Sequence, residues 1–144
     1  MSILSIATSG LSAASLRLNV AASNIANAST TGPLPPTDGS GTGGTGSSSN
    51  NSNFPPAYVP LQVNQTDQSN GGTVATVSAV SPSYVPQSDP SAPFANQNGL
   101  VAAPNVDLAS QFVQLLTAKY SFAANAKVIQ AYNNTTQSLL DITT

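Results

Sequence analysis

The placement of proline restricts the fold of this chain more than any other feature. All eleven prolines lie between Pro33 and Pro104, and every glycine except Gly10 lies within this interval or directly before it. The flanks, residues 1–32 and 105–144, contain no proline. Because a proline inside a helix costs about 3 kcal/mol, the middle of the chain cannot be helical, and the pattern predicts one helix at each end.

This partition predicts three segments. An N-terminal helix occupies residues 1–30, a flexible loop with a small β or irregular region occupies 31–104, and a C-terminal helix occupies 105–144. The fold class is therefore mainly α. The two long terminal helices pair as a coiled coil, and the Gly/Pro-rich middle segment holds a small β-hairpin and irregular structure.

The first flank has a regular apolar period. Its members are Leu4, Ala7, Leu11, Ala14, Leu18, Ala21 and Ile25. Spacings alternate between three and four residues, which is typical of a coiled-coil seam. Large Leu alternates with small Ala, so a partner helix can approach closely. Gly32 and Pro33 supply the stop signal.

The second flank begins after Pro104, where Asn105 or Asp107 can cap the first free amides. Apolar residues then follow helical spacing at Leu108, Phe112, Leu115, Phe122, Ala126, Ile129, Tyr132 and Leu139. Additional apolar residues broaden this stripe, so the helix is expected to touch more than one neighbour. Two such helices enclose too little interior to be stable alone, and their apolar faces need partners.

The middle segment divides in two. Residues 37–53 contain Gly, Ser, Thr and Asn without an apolar side chain, which predicts a flexible loop. Apolar residues alternate over 59–63, Gly71-Gly72 offers a turn, and residues 73–80 are β-branched. This pattern predicts a small hairpin. Four further prolines then predict an extended segment that returns the chain to the second helix.

Composition excludes several classes of function. Charged residues make up 6% of the chain, against about 25% in an ordinary soluble protein. The cations are only Arg17, Lys119 and Lys127, too few to neutralise a tract of phosphates. Glu, His and Cys are absent, which removes disulfides, zinc sites and the usual catalytic acids and bases. We predict no enzyme activity, no catalytic or metal-binding residue, no cofactor, no nucleic acid and no small-molecule substrate.

Targeting signals are equally sparse. The apolar N-terminus lacks a basic segment, so it is a poor cleavable signal peptide. No apolar stretch of about 18 residues is present to span a membrane.

Neutral amides are prominent on both predicted helices. Asn24 and Asn27 lie one turn apart, and either a solvated polar face or hydrogen bonds to neighbouring helices explains them. The second helix also carries mostly Gln and Asn at polar positions, where an exposed helix uses Glu and Lys. Burying a neutral amide avoids the several kcal/mol that burying an ion can cost. For Arg17, a solvated side chain is favoured over a pair with a neighbour's carboxylate.

The two ends carry recognisable motifs. The run SGLSAASLRLNVAASNIANASTTG at residues 9–32 resembles the signature of bacterial flagellar axial proteins, the rod and hook group. The run NVDLASQFVQLLTAKYSFAANAKVIQAYNNTTQSLLDI at residues 105–142 is similar to the other signature of that family. Within the family, residues 84–107 resemble the proximal-rod class. Pro33 after Gly32 departs from the family pattern, as does Tyr120, where the family often has Arg.

The resemblance implies a structural subunit of the flagellar basal-body proximal rod. Such subunits leave the cytosol by the flagellar type III apparatus without a cleaved signal peptide, and they polymerise in the periplasm into a helical drive shaft that transmits torque to the hook. The implied partners are the chain itself, other rod proteins, and basal-body ring or export-gate components.

The predicted assembly interface combines both helices. Its residues are Leu4, Leu11, Leu18, Asn24, Ile25, Asn27, Phe112, Leu115, Leu116, Phe122, Asn125, Ile129 and Leu139. Two alternatives stay open. The first is another axial protein, such as a hook or distal-rod homologue. The second is an amphipathic secreted protein of a membrane surface, although the N-terminal helix lacks the Lys and Arg expected for anionic lipid.

Overall fold

The structure is a computed structural model that describes residues 2–35 and 54–142. The predicted loop at 37–53 lies outside the described residues. The elements are α1 (Ile3–Ala26), β1 (Leu61–Asp67), β2 (Thr73–Ala79), β3 (Tyr84–Ser88), β4 (Leu100–Pro104) and α2 (Leu108–Ile142). Both predicted helices and the predicted hairpin are confirmed. The coiled-coil pairing and the three-segment division stay predictions.

The chain forms two compact units. The helix–hairpin unit comprises the described residues of Met1–Ile25, Leu61–Ala79 and Asp107–Thr144. The strand unit comprises the described residues of Ala26–Pro60 and Val80–Val106. Each unit is therefore assembled from segments that are far apart in the sequence.

The helices begin where side chains satisfy free backbone amides. The Ser2 hydroxyl accepts the N–H of Leu4 at 3.2 Å, and Asp107 Oδ1 accepts the N–H of Ala109 at 3.1 Å. Asp107, one of the two caps that the sequence allows, is thus the cap of α2. α2 runs for 35 residues without a proline.

The β1–β2 hairpin has the predicted turn. Strands pair in antiparallel register with Val63 opposite Val77, and the connection ends at Gly71 and Gly72. Both glycines have positive φ, 86° and 90°, a conformation that residues with a Cβ adopt only at a cost.

A second antiparallel pair, β3–β4, was not predicted, because its prolines argue against strands. In this pair, Pro86 lies opposite Ala102 and Tyr84 lies opposite Pro104. A two-stranded sheet has one open edge on each strand, and proline is tolerated on an edge because no ladder bond requires its missing N–H. The segment that the sequence assigns to irregular structure therefore contains a small sheet.

The strand unit has its own core around β4. Val101, Ala102 and Ala103 are buried. The backbone of Gly32 exchanges two hydrogen bonds with that of Ala102, at 3.0 and 2.9 Å. The glycine that ends the N-terminal flank therefore also extends the sheet of the strand unit.

We expect Gly32→Ala to destabilise the strand unit by about 2 kcal/mol. A Cβ at this position would collide with the backbone nitrogen of Ala57, and backbone atoms cannot move aside cheaply. Amide hydrogen exchange at Ala102 measures the effect. Ser29→Thr, which adds one carbon at an exposed neighbouring position, is the control. Unchanged protection of Ala102 in the glycine variant would contradict this account.

Candidate assembly surface

α1 and α2 contact each other at two points, and the order of these points along α1 is the reverse of their order along α2. Asn24 Nδ2 on α1 donates to Gln111 Oε1 on α2 at 3.0 Å. Gly10, which precedes Asn24 on α1, faces Asn125, which follows Gln111 on α2. A Cβ on Gly10 would lie 2.7 Å from the Asn125 amide. The helices therefore run antiparallel, and the glycine leaves room for a polar side chain of the partner helix.

Small residues dominate the buried face of α1. Ala7, Ala14 and Ala21, which belong to the predicted seam, are buried. The larger members of that seam are less covered: Leu4 is exposed, and Leu11, Leu18 and Ile25 are half-buried. Within the single chain, the alanines of this seam are therefore more fully buried than its leucines and its isoleucine.

The hairpin explains why the buried face of α1 is wider than the seam. Ala13 and Val20 are also buried. The backbone N–H of Thr73 at the start of β2 donates to Ser9 Oγ on α1 at 3.2 Å, so the hairpin lies against this helix. α1 is thus in contact with α2 and with the hairpin.

Asn24 is a polar centre of the helix–hairpin unit. Its side chain is 1% exposed. Nδ2 donates to the Leu61 carbonyl oxygen at 2.7 Å, and Oδ1 accepts the Leu61 N–H at 3.0 Å. Together with the bond to Gln111, these contacts join α1, β1 and α2. The Asn24 amide thus makes with Leu61, the first residue of β1, the two backbone hydrogen bonds that a neighbouring strand would make.

The covered face of α2 is more polar than the periodicity suggests. Residues 111, 115, 118, 121, 125 and 129 are the less exposed positions of α2, at spacings of three and four residues. They are Gln111, Leu115, Ala118, Ser121, Asn125 and Ile129. Only Ala118 is fully buried. Of the predicted interface residues on α2, Leu115, Asn125 and Ile129 therefore lie on the covered face.

A stripe of large apolar side chains lies on the opposite side of α2. Val113, Leu116 and Tyr120 are 63%, 50% and 70% exposed. They are spaced by three and four residues, so they form one continuous line on a helix. We call these three residues the outer stripe. Large apolar groups lined up in water are characteristic of an interaction surface.

Other predicted interface residues on α2 are also exposed. Phe112 and Phe122 are 54% and 43% exposed, and Leu139 is 62% exposed. Every residue from 131 to 142 is exposed. The last three turns of α2 therefore have little cover from the described part of the chain.

Asn27 belongs to the strand unit. Its side chain is half-buried, and its carbonyl oxygen accepts the N–H of Thr30 at 3.0 Å, in the turn that follows α1. Asn24 and Asn27 are one helical turn apart in sequence, yet they lie in different units. The participation of the predicted residues in contacts between subunits stays a prediction.

The described ranges offer little other chemistry. Within residues 2–35 and 54–142, no three His, Cys, Asp or Glu side chains come together. Neither α1 nor α2 has the length and apolar character that a bilayer crossing needs. The structure is that of a long-helix subunit with a large uncovered apolar surface, which indicates a structural building block.

Comparisons with known proteins agree at both ends of the chain. A family model described as flagella basal body rod protein matches residues 4–33, and one described as flagellar basal body rod FlgEFG protein C-terminal matches residues 97–142. The flagellar basal-body rod protein FlgC of Salmonella typhimurium is 37% identical over 97% of this chain and 92% of its own length. FlgC of Escherichia coli O157:H7 is 36% identical over the same shares. FlgC of Agrobacterium fabrum is 29% identical over 95% of this chain and 90% of its own.

The chain belongs to the family of flagellar basal-body rod proteins. These relatives all carry the name FlgC. It is accordingly a structural subunit of the proximal rod of the flagellar basal body, and the prediction that it is not an enzyme is confirmed. The family resemblance predicted from the terminal motifs is confirmed as well. The rod relatives favour neither the hook or distal-rod alternative nor the membrane-surface alternative.

Proposed function

We propose that the subunit polymerises with copies of itself and with other rod proteins into a helical drive shaft that transmits torque to the hook. The single observation that carries this proposal is the outer stripe, whose three large apolar side chains, Val113, Leu116 and Tyr120, are each half or more exposed in the single chain. A subunit with such a surface gains burial by assembly, at about 25 cal/mol per Å² of apolar surface.

The proposal extends to how the helices are used. α1 and α2 pair as a coiled coil, and their remaining apolar residues make the contacts between subunits. Leu11, Leu18, Phe112 and Phe122 keep part of their surface uncovered in the single chain. Contacts in such a tube are head-to-tail, so they propagate instead of closing.

The remaining parts of the proposal concern location and partners. The rod lies in the periplasm, and the subunit reaches it through the flagellar type III apparatus without a cleaved signal peptide. Basal-body ring or export-gate components are further partners.

Deletion of the gene tests the function directly. We expect the strain to be non-motile and its isolated basal bodies to lack a complete rod in electron micrographs, because a proximal subunit has no substitute in the shaft. Complementation with the unchanged gene restores both. Complete rods in the deletion strain would refute the proposed function.

A further inference from the structure

Arg17 stands out in the helix–hairpin unit as a cation without a partner. It is the only cation of α1, and its side chain is half-buried. Within residues 2–35 and 54–142 it makes neither a hydrogen bond nor an ion pair. A guanidinium carries five N–H donors in a planar fork. The sequence favours a solvated side chain here, but a guanidinium that has lost part of its water without gaining an acceptor argues for a pair with a neighbour's carboxylate.

The surroundings of Arg17 form a small cavity. It has a volume of about 280 Å³ and is lined by Arg17, Val63, Val113, Gln114 and Thr117. The lining combines one positive charge with neutral groups and contains no carboxylate, so it fits an anionic side chain. The Gln114 amide can also donate to or accept from a polar neighbour of that anion. The volume suits single side chains and not a whole helix.

Asp67 is the carboxylate of the described ranges whose side chain has no partner there. Asp89 Oδ1 accepts hydrogen bonds from Ser91, and Asp107 Oδ1 caps α2. Asp141 has an interaction of its own. Asp67, in contrast, is exposed at the end of β1. The helix–hairpin unit therefore offers one guanidinium and one carboxylate that both lack a partner within the described residues.

These two groups lie at different levels of α1, so they do not meet within one chain. Thr73 is opposite Asp67 in the hairpin register and donates its N–H to Ser9 Oγ, which places Asp67 near the level of Ser9. Arg17 follows eight residues later and lies beside Val63, nearer the base of the hairpin. At 1.5 Å per residue, the two levels are about 12 Å apart along the helix axis. Each group is therefore available to a neighbouring molecule.

We propose that the Arg17 cavity of one subunit receives the hairpin tip (residues 67–72) of a second copy, with Asp67 paired to Arg17. Val113 belongs both to the outer stripe and to the lining of the cavity, so this contact is continuous with the proposed assembly surface. The two patches differ, so the contact is heterologous and repeats along a polymer. The chain has so few charges that one pair at this place also selects the register of the contact.

This inference rests on the proposed function and adds the residues of one contact. Its first test uses the deletion strain complemented with full-length variants. Arg17→Glu and Asp67→Arg are each expected to reduce the number of rods per cell envelope at least about tenfold, because each places like charges together. The combined Arg17→Glu and Asp67→Arg variant is expected to recover rods, because the pair is restored with reversed signs.

Lys119→Glu combined with Asp67→Arg is the matched control. Lys119 is an exposed cation of α2, so this combination makes the same change in net charge without restoring the pair, and it should not recover rods. Normal rod numbers in both single variants, no recovery in the Arg17→Glu and Asp67→Arg combination, or equal recovery in the control combination would overturn the contact. The proposed function is judged separately, by the rods of the uncomplemented strain.

A crosslink tests the same contact without placing like charges together. The chain has no cysteine, so Arg17→Cys and Asp67→Cys in one chain supply its only thiols. A disulfide needs Cα atoms within about 7 Å, which the separation of the two levels prevents inside one subunit. In rods formed beside the unchanged gene, mild oxidation is expected to give linked dimers and multimers that a reducing agent separates.

Lys119→Cys combined with Asp67→Cys is the control for the crosslink and should stay monomeric. Because the unchanged gene keeps rods present, this measurement gives a result even where a charge variant does not fold. Monomer alone in rods that contain the Arg17→Cys and Asp67→Cys chain would overturn the contact.

Discussion

Asn24→Leu is expected to lower the free energy of unfolding of the helix–hairpin unit by about 4 kcal/mol. Leucine is close to asparagine in size, but it can neither donate nor accept a hydrogen bond. The N–H and C=O of Leu61 would then both be left without the partner that the amide supplies, and each unsatisfied buried group costs about 1–3 kcal/mol. Gln111 would lose its bond to Asn24 as well. Urea unfolding of the full chain, followed by far-UV circular dichroism, measures the change.

The control for this experiment lies on the same helix. Asn19 is exposed, so Asn19→Leu makes the same chemical change where no buried bond depends on it, and its effect should stay within about 0.5 kcal/mol. Asn24→Asp should be nearly as harmful as Asn24→Leu, because a carboxylate cannot donate to the Leu61 carbonyl. Equal stability of the Asn24→Leu and Asn19→Leu variants would disprove the role assigned to Asn24.

Leu116→Asp combined with Tyr120→Asp is expected to abolish rod assembly while leaving the subunit folded. Both side chains are half or more exposed in the single chain, so the substitutions cost the monomer little. In an assembly that covers the outer stripe, the two carboxylates would have to lose their water, at several kcal/mol each. Because each 1.4 kcal/mol is tenfold in affinity, association should weaken by about a hundredfold or more.

Two measurements test this expectation. Motility in soft agar and counts of rods in purified basal bodies report assembly, and circular dichroism of the purified variant reports folding. Ser110→Asp adds a negative charge at an exposed polar position of the same helix and should leave motility unchanged. A motile double variant with normal rods would show that the outer stripe is not a contact between subunits.

The helices and the first hairpin could be predicted because their signals are local. Proline and glycine end a helix wherever they occur, and Gly71-Gly72 between two apolar stretches defines a turn without reference to the rest of the chain. The β3–β4 pair could not be predicted in this way. The strand character of Pro86 depends on which edge of a sheet it occupies, and that edge exists only once the strands have paired.

The covered faces of the helices show a second limit. Periodicity weights large apolar residues, so it favours Phe112 and Phe122 on α2. The structure instead turns Gln111, Ala118 and Asn125 towards the interior of the unit, because Gly10 and the alanines of α1 allow close approach of small and polar side chains. Phe112, Phe122 and Leu139 of the predicted stripe are thereby left exposed, whereas Leu115 and Ile129 lie on the covered face.

Asn24 shows the third limit. The sequence allows either a solvated amide or one that bonds to neighbouring helices. The buried amide bonds instead to the backbone of a strand that begins 37 residues later, and it bonds to α2 as well. The spacing of residues within a helix gives no information about a bonding partner so far away in the sequence. Only the general preference for neutral amides over Glu and Lys indicates that these surfaces are covered.

The antiparallel contact between the chain ends also governs when the subunit can mature. Gly10 and Asn125, which face each other, are far apart in the sequence, so Gly10 is made well before Asn125. Closing so long a loop carries an entropic cost and slows folding. Until α2 has been made, α1 therefore has no α2 to lie against. The helix–hairpin unit can therefore be completed only after both helices have been synthesised.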